Sequence, residues 1–255
     1  MVQPGDVRLQ HDADKDKAVG AKHHSFSPDP LPLDSLDLNV EGRDLAPPQE
    51  GFGQLWRKRF RIRLTGANVP STEVVRVWRE HFGEFWPESN RFYRPLGGLK
   101  PGEVALADLE MAPGGRLSTG VVVVDASPTS FTFMTPRGHS FAGQITFSAH
   151  DEAGTTIAQV EILMRASDPL FEISLLLGGH KRENEFWQTT LLELADHFGV
   201  EDQEPEVTIT CPDPNRQWSK ATNIVYNSLL HTAFYMATRP LRRLLERLKR
   251  RGETS

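Results

Sequence analysis

The sequence predicts an α+β domain in which a curved antiparallel sheet wraps around its last long helix, with an additional helical extension beyond it. Three observations predict this class. A stretch of period two, "LWRKRFRIRLTG", precedes a stretch of helical period, "VPSTEVVRVWREHFGEFWPE". From about residue 92 to 165, strand-like runs follow one another with only short turn-forming breaks, and short breaks make antiparallel neighbours. The block closes on "ENEFWQTTLLELADHFG", whose apolar residues recur at helical spacing.

Residues 1–50 hold six prolines and one aromatic, Phe26. They cannot bury enough apolar surface to offset the entropy of ordering, so 1–51 reads as a disordered tail. Its adjacent His23 and His24 are poorly placed to chelate, and no metal site is assigned. Order begins at the first strand, where Phe60, Ile62 and Leu64 point inward and Arg59, Arg61 and Arg63 point to water. In the next element Ser71 or Thr72 is placed to cap a helix whose stripe is Val74, Val75, Trp78 and Phe82, punctuated by Gly83 and Pro87. The strand block comprises "EVALADLEM", "GRLSTGVVVVDA", "SFTFMT", "GQITFSA" and "TTIAQVEILMRA". Asp168-Pro169 is a cap followed by a good first helical residue; the following "LFEISLLLGG" reads as strand or helix, and the Asp-Pro start favours a helix broken or kinked at Gly178-Gly179. Trp187, Leu191, Leu194 and Phe198 carry the long helix to its stop at Gly199. A polar linker, "EDQEPEVTITCPDPNRQ", leads to a helix through Ala221, Val225, Leu229, Ala233 and Met236, then to the basic amphipathic "RPLRRLLERLKRR" after Pro240.

Composition narrows the function classes. A chain of 255 residues suits one domain with appendages: a tail 1–51, a domain 52–200, and a linker with a basic helical extension 201–255. The single cysteine, Cys211, excludes an intrachain disulfide and a thiolate cluster, and no cofactor motif stands out. A net charge of −5 argues against a generic nucleic-acid surface, so no nucleic-acid partner is expected. No apolar run reaches the roughly 18 residues of a spanning helix, and "MVQPGDVRLQHDADKD" has no signal-peptide core. A cytoplasmic protein is expected, peripheral to a membrane if its basic tail binds one.

The element order, together with "GFGQLWRKRFRIRL", "PTSFTFMTPRGHSFAGQITF" and "ENEFWQTTLLELADHFG", resembles the START-like, polyketide-cyclase superfamily (SRPBCC) over about residues 52–200. The hairpin phrase is similar to that of a branch in which a Gly-His turn followed by Ala-Gly-Gln recurs. The resemblance implies a helix-grip fold and a cavity between sheet and helix that takes lipids, sterols, polyketides or other bulky apolar ligands. Only some members of the superfamily are enzymes, so the fold alone does not decide activity.

The candidate wall of such a cavity is Phe131, Phe133, Ile145, Phe147, Val160, Ile162 and Met164 from the strands, facing Trp187, Leu191 and Leu194 from the helix. The same residues also read as ordinary core. Trp78 and Trp86 are either core or pocket mouth. Glu161, with Gln159 and Arg165, falls on the solvent face by alternation. His139 is the one natural acid or base, but it sits at a hairpin tip where it also serves to hold backbone groups, with Gly138 supplying the turn. "GGHKRE" lacks any phosphate-loop spacing. Three readings remain: a carrier or sensor enclosing a hydrophobic small molecule or lipid, a cavity enzyme using His139, and a module receiving a partner helix. Two inward-facing groups of perturbed pKa favour the enzyme; an all-apolar cavity favours the carrier. The segment 239–251 reads as a solvated helix end, as a weak contact with anionic membrane surfaces, or as a nucleic-acid or protein contact.

Overall fold

Apolar alternation organises a sheet whose strands are β1 (Phe26–Ser27), β2 (Leu55–Arg63), β3 (Arg91–Pro95), β4 (Val104–Ala112), β5 (Gly115–Ala126), β6 (Ser130–Met134), β7 (Phe141–Glu152), β8 (Thr155–Ala166) and β9 (Glu206–Asp213). The helices are α1 (Ser71–Glu80), α2 (Pro169–Ser174) and α3 (His180–His197). The structure is a computed structural model and describes residues 26–27, 39–112, 115–235 and 237–238. Every strand pairing is antiparallel, in the order β1-β3-β4-β5-β6-β7-β8-β2-β9. Register shifts at Leu55/Arg57, Glu110/Ala112 and Val123/Asp125 mark where the ladder bends.

The inner face carries Phe60 and Ile62 of β2, Val160, Ile162 and Met164 of β8, Phe147 of β7, and Phe131 and Phe133 of β6, all within one buried cluster. Helix α1 lays Val74, Val75 and Trp78 on β7 and β8, while α3 lays Leu191, Leu194 and Ala195 on β2 and β8. This is the α+β arrangement the sequence predicts, a curved sheet gripping a long helix. The Asp168 cap forms as expected, Oδ1 accepting from the N–H groups of Leu170 and Phe171 at 2.8 and 3.0 Å. The break does too: Leu177 and Gly178 leave helical geometry, Gly178 at φ +109°. Helix α1 differs from expectation at its start, because Pro70 is the N-cap and neither Ser71 nor Thr72 caps it. Ser71 Oγ instead donates to Asp151 at 3.5 Å.

The ordered body extends beyond 52–200 on both sides. Within the expected tail, residues 39–51 pack on the outer face of the sheet. Asn39 and Val40 are fully buried, Asn39 donating to the Ser118 carbonyl at 2.7 Å and to Thr232 Oγ1 at 3.1 Å. Val40 and Leu45 join Tyr93, Val104, Leu106 and Val122 in a second apolar cluster. On the other side, the expected linker contains β9, which pairs with β2 at the sheet edge. Val207 and Ile209 alternate with Thr208 and Thr210 there, a short strand signal that the flanking glutamates and prolines obscure. The helix expected from Ala221 begins only at 228, and 221–226 form 3-10 turns without a buried residue. Its last expected residue, Met236, the basic segment 239–251, and most of the tail 1–38 lie outside the described residues.

The returning chain also changes the surroundings of Arg165. Alternation does place it on the outer face, but residues 213–216 cover it. Its guanidinium donates to the carbonyls of Gly53 and Asn215 at 2.6 and 2.9 Å and to the Asp213 carboxylate. Glu161 remains at the surface, paired with Arg59 at 3.2 Å.

Candidate functional site

Between the inner face and α3 lies a partly open cavity of about 190 Å³. An apolar cavity of about 150 Å³ accepts benzene, so this one has room for one or two rings. Its walls are mainly apolar and rich in aromatic rings. Phe82, Trp86 and Phe92 form one side, and Phe186 and Trp187 of α3 form the roof. Phe141, Phe171 and Leu175 close the end beneath the helix break. The rings meet mostly edge to face: Trp86 and Phe186 lie 5.0 Å apart, Phe82 and Phe133 5.3 Å. Asn90, Glu110 and Arg182 stand where the cavity adjoins a polar surface hollow. Arg182 spans that edge by donating to the Met111 carbonyl.

The residues predicted for the wall divide into two layers. Phe133, Ile145, Ile162, Met164 and Trp187 line the cavity. Phe131, Phe147, Val160, Leu191 and Leu194 stand behind them, fully buried. That second layer is tightly packed: Phe131 stacks on Phe147 at 4.8 Å, and Trp78 meets Phe147 at 5.3 Å. The two tryptophans separate in the same way, Trp78 into the core and Trp86 onto the cavity.

His139 reaches the cavity, although it comes from the hairpin turn. Gly138 turns the chain at φ +93°, and a Cβ there would stand 2.0 Å from the Tyr226 carbonyl oxygen, so only glycine fits. The Gly138 carbonyl accepts from the Ser228 N–H at 2.9 Å, which ties the turn to the C-terminal segment. The His139 ring is buried, and its Nδ1 accepts from the Phe141 N–H at 3.1 Å. That bond assigns the ring proton to Nε2. Burial pushes the imidazole down to about 4, so it is neutral near pH 7.

Sequence reasoning missed a second polar group. Lys58 continues the inward alternation of Phe60 and Ile62, and its side chain is fully buried. Its ammonium donates to Glu183 Oε2 at 2.6 Å and to Asn184 Oδ1 at 2.9 Å, both at the start of α3. Glu183 itself lines the cavity, and burial raises its carboxyl even though Lys58 opposes the shift. The signal was present in the sequence, since Glu183 is one helical turn before Trp187 and two before Leu191. Beside the pair, His180 packs edge-on against Trp56 at 4.8 Å, and burial followed by the Lys58 charge lowers it to about 4. In "GGHKRE", Gly179, Arg182 and Glu183 line this cavity.

No family model and no curated protein matches the chain. Among solved structures it is similar to protein Ms6760 from Mycobacterium smegmatis, with 14% identity over 56% of this chain and 90% of that one, at a TM-score of 0.43. It is similar to Ara h 8.0201 with 12% identity over 56% of this chain and 97% of that one, TM-score 0.40. Similarity to the di-domain ARO/CYC StfQ from the steffimycin biosynthetic pathway is at 9% identity, covering 59% of this chain and 51% of that one, TM-score 0.39. By its own strand order, and by the long helix laid across the inner face of its sheet, the chain has the helix-grip fold.

Proposed function

We propose that the protein is a carrier or sensor that encloses a small, ring-bearing apolar ligand under α3. The observation that carries this reading is the cavity itself: large enough for one or two rings, rich in aromatic side chains, and with a predominantly apolar wall surface. Fully burying a phenyl-sized ring contributes about 1.5–3 kcal/mol, so for a two-ring compound burial supplies a large part of the binding.

The enzyme reading has one specific support, since His139 and Glu183 both line the cavity with shifted pKa values. The hydrogen bonds weigh against it. A general base must present a free lone pair to the reacting atom, and the only lone pair of neutral His139 is the Nδ1 one already held by the Phe141 N–H. Glu183 keeps an oxygen free, but the Lys58 ammonium bonded to its other oxygen opposes its taking up a proton. Both groups are better suited to orienting a ligand than to moving its protons. A partner helix, with a diameter of about 10 Å, finds no support in a hollow of this size.

A cytoplasmic setting with weak docking of 239–251 on anionic membranes would suit such a carrier, and no nucleic acid is part of the reading. Membrane docking is tested by co-sedimentation with anionic vesicles at low salt: the full chain pellets, and a truncation after Arg239 stays in solution. Equal behaviour of the two removes this role. Among the described residues no helix is long and apolar enough to cross a membrane. Native mass spectrometry of the protein purified from its own host tests ligand carriage, with an expected small noncovalent adduct removed by organic solvent. A bare polypeptide mass, or an adduct heavier than a few fused rings, would count against the reading.

A further inference from the structure

We propose that the Lys58–Glu183 pair forms the polar pole of this cavity and selects, among ring-bearing apolar ligands, those carrying a neutral hydrogen-bond donor such as a phenolic hydroxyl, received by Glu183 Oε1. The proposal rests on the ligand-binding reading above and adds the chemistry of the ligand.

The Glu183 side chain is only 9% exposed, and the residue lines the cavity. Its Oε2 accepts from Lys58, and among the described residues the carboxylate's hydrogen bond runs through that oxygen, which leaves Oε1 to accept from a ligand. A carboxylate is an acceptor only, and an acceptor facing an apolar space without a partner is costly, so a donor from a ligand gains what the protein does not supply. Lys58 stands behind the carboxylate and does not line the cavity, so a ligand meets the acceptor and not the ammonium.

The charge of the surroundings narrows the donor further. The pair is neutral as a unit, and a second cation at Oε1 would be repelled by the nearby Lys58 ammonium. His180, lowered first by burial and then by the same Lys58 repulsion, stays neutral beside it. A ligand carbonyl or ether would set its lone pairs against those of Glu183. A hydroxyl on a ring avoids both penalties. Trp187, one turn along α3, offers a face for that ring while its hydroxyl reaches Glu183. If the pair served only to fasten α3 to β2, the cavity would be indifferent to the hydroxyl.

The test is a calorimetric titration of the full chain with 2-naphthol and with its methyl ether, 2-methoxynaphthalene. A hydrogen bond to a buried charged group should make 2-naphthol bind at least about tenfold more tightly. In the double variant Lys58→Met/Glu183→Met, which strands no charge, the tenfold preference for 2-naphthol over the ether should vanish, the ratio of the two affinities being the quantity read. Glu183→Gln provides a second variant: with its amide oxygen on Lys58 it turns an N–H group to the cavity, and it too should lose the preference. Equal binding of the two probes by the native chain overturns the proposal and leaves the cavity reading intact. A hydroxyl preference that survives in either folded variant also overturns it. Saturable binding of neither probe overturns the cavity reading itself.

Discussion

His139 illustrates how one residue serves the fold and the site through a single tautomer. Its Nδ1 holds the Phe141 N–H and its Nε2–H remains for the cavity, an arrangement that requires the neutral ring. The folded state lowers the histidine from its ordinary 6.5 to about 4, so between those values the unfolded chain binds the extra proton. Stability from this residue is therefore intact above about pH 6.5 and is lost as pH falls towards 4. His139→Asn, which keeps an acceptor for the Phe141 N–H, should reduce the loss of unfolding free energy between about pH 7 and about pH 4.5 by about 2 kcal/mol. Urea unfolding of both proteins at the two pH values measures it, and identical losses would refute the burial of a neutral ring. The hairpin role of His139 was legible from "PRGHSF". Its contact with the cavity was not, because that depends on how the turn packs against α2 and β8. Lys58 was concealed for a different reason. Alternation puts it inward with Phe60, but a lysine flanked by arginines reads as part of a solvated face until Glu183 supplies its partner from 125 residues away.

At the scale of elements, helix α3 and the break before it set the site. The stripe of Trp187, Leu191 and Leu194 was readable by period alone, as was the glycine break. Period does not tell which of those residues touch empty space. Leu191 and Leu194 lie deeper along the helix, where the inner face is filled, and only the first two turns of α3 roof the cavity. Ala107 of β4 sits on the opposite side, buried and small. Ala107→Phe should therefore occupy the cavity rather than strain the core, changing unfolding free energy by less than about 1 kcal/mol in place of the 1–3 kcal/mol typical of overpacking. The hairpin before β7 is the second decisive element. Gly138→Ala needs a left-handed backbone and a Cβ inside the Tyr226 carbonyl, so it should cost more than about 2 kcal/mol and expose 226–235 to proteolysis. Unchanged protease resistance would show that the segment is not anchored at that turn.

The whole molecule is larger than the unit its sequence outlines. Both flanks add to it, 39–51 and the C-terminal helical segment on the outer face and β9 on the edge, where Asn39 bonds Thr232 from the opposite end of the chain. Such contacts have no local signature: Val40 and Leu45 are isolated apolar residues between charges and prolines, and only the apolar patch of Tyr93, Leu106 and Val122 on the outer face, which they cover, gives them a place to go. Removing residues 1–50 should accordingly lower the melting temperature by about 5 °C or more, whereas removing 1–38 should leave more of it intact. Equal melting of the shorter truncation and the native chain, with no drop for the longer one, would mean that 39–51 contributes nothing to stability. The helix-grip core, in contrast, was legible throughout, because strand alternation, short breaks and one long stripe all describe the same packing. What that core encloses is measured most directly by titrating the native protein and Ala107→Phe with 2-methoxynaphthalene in a calorimeter. The native protein should bind it saturably at one site and the filled variant should not, while both melt alike. Binding that is absent from the native chain, or unchanged by filling the cavity, would contradict the account.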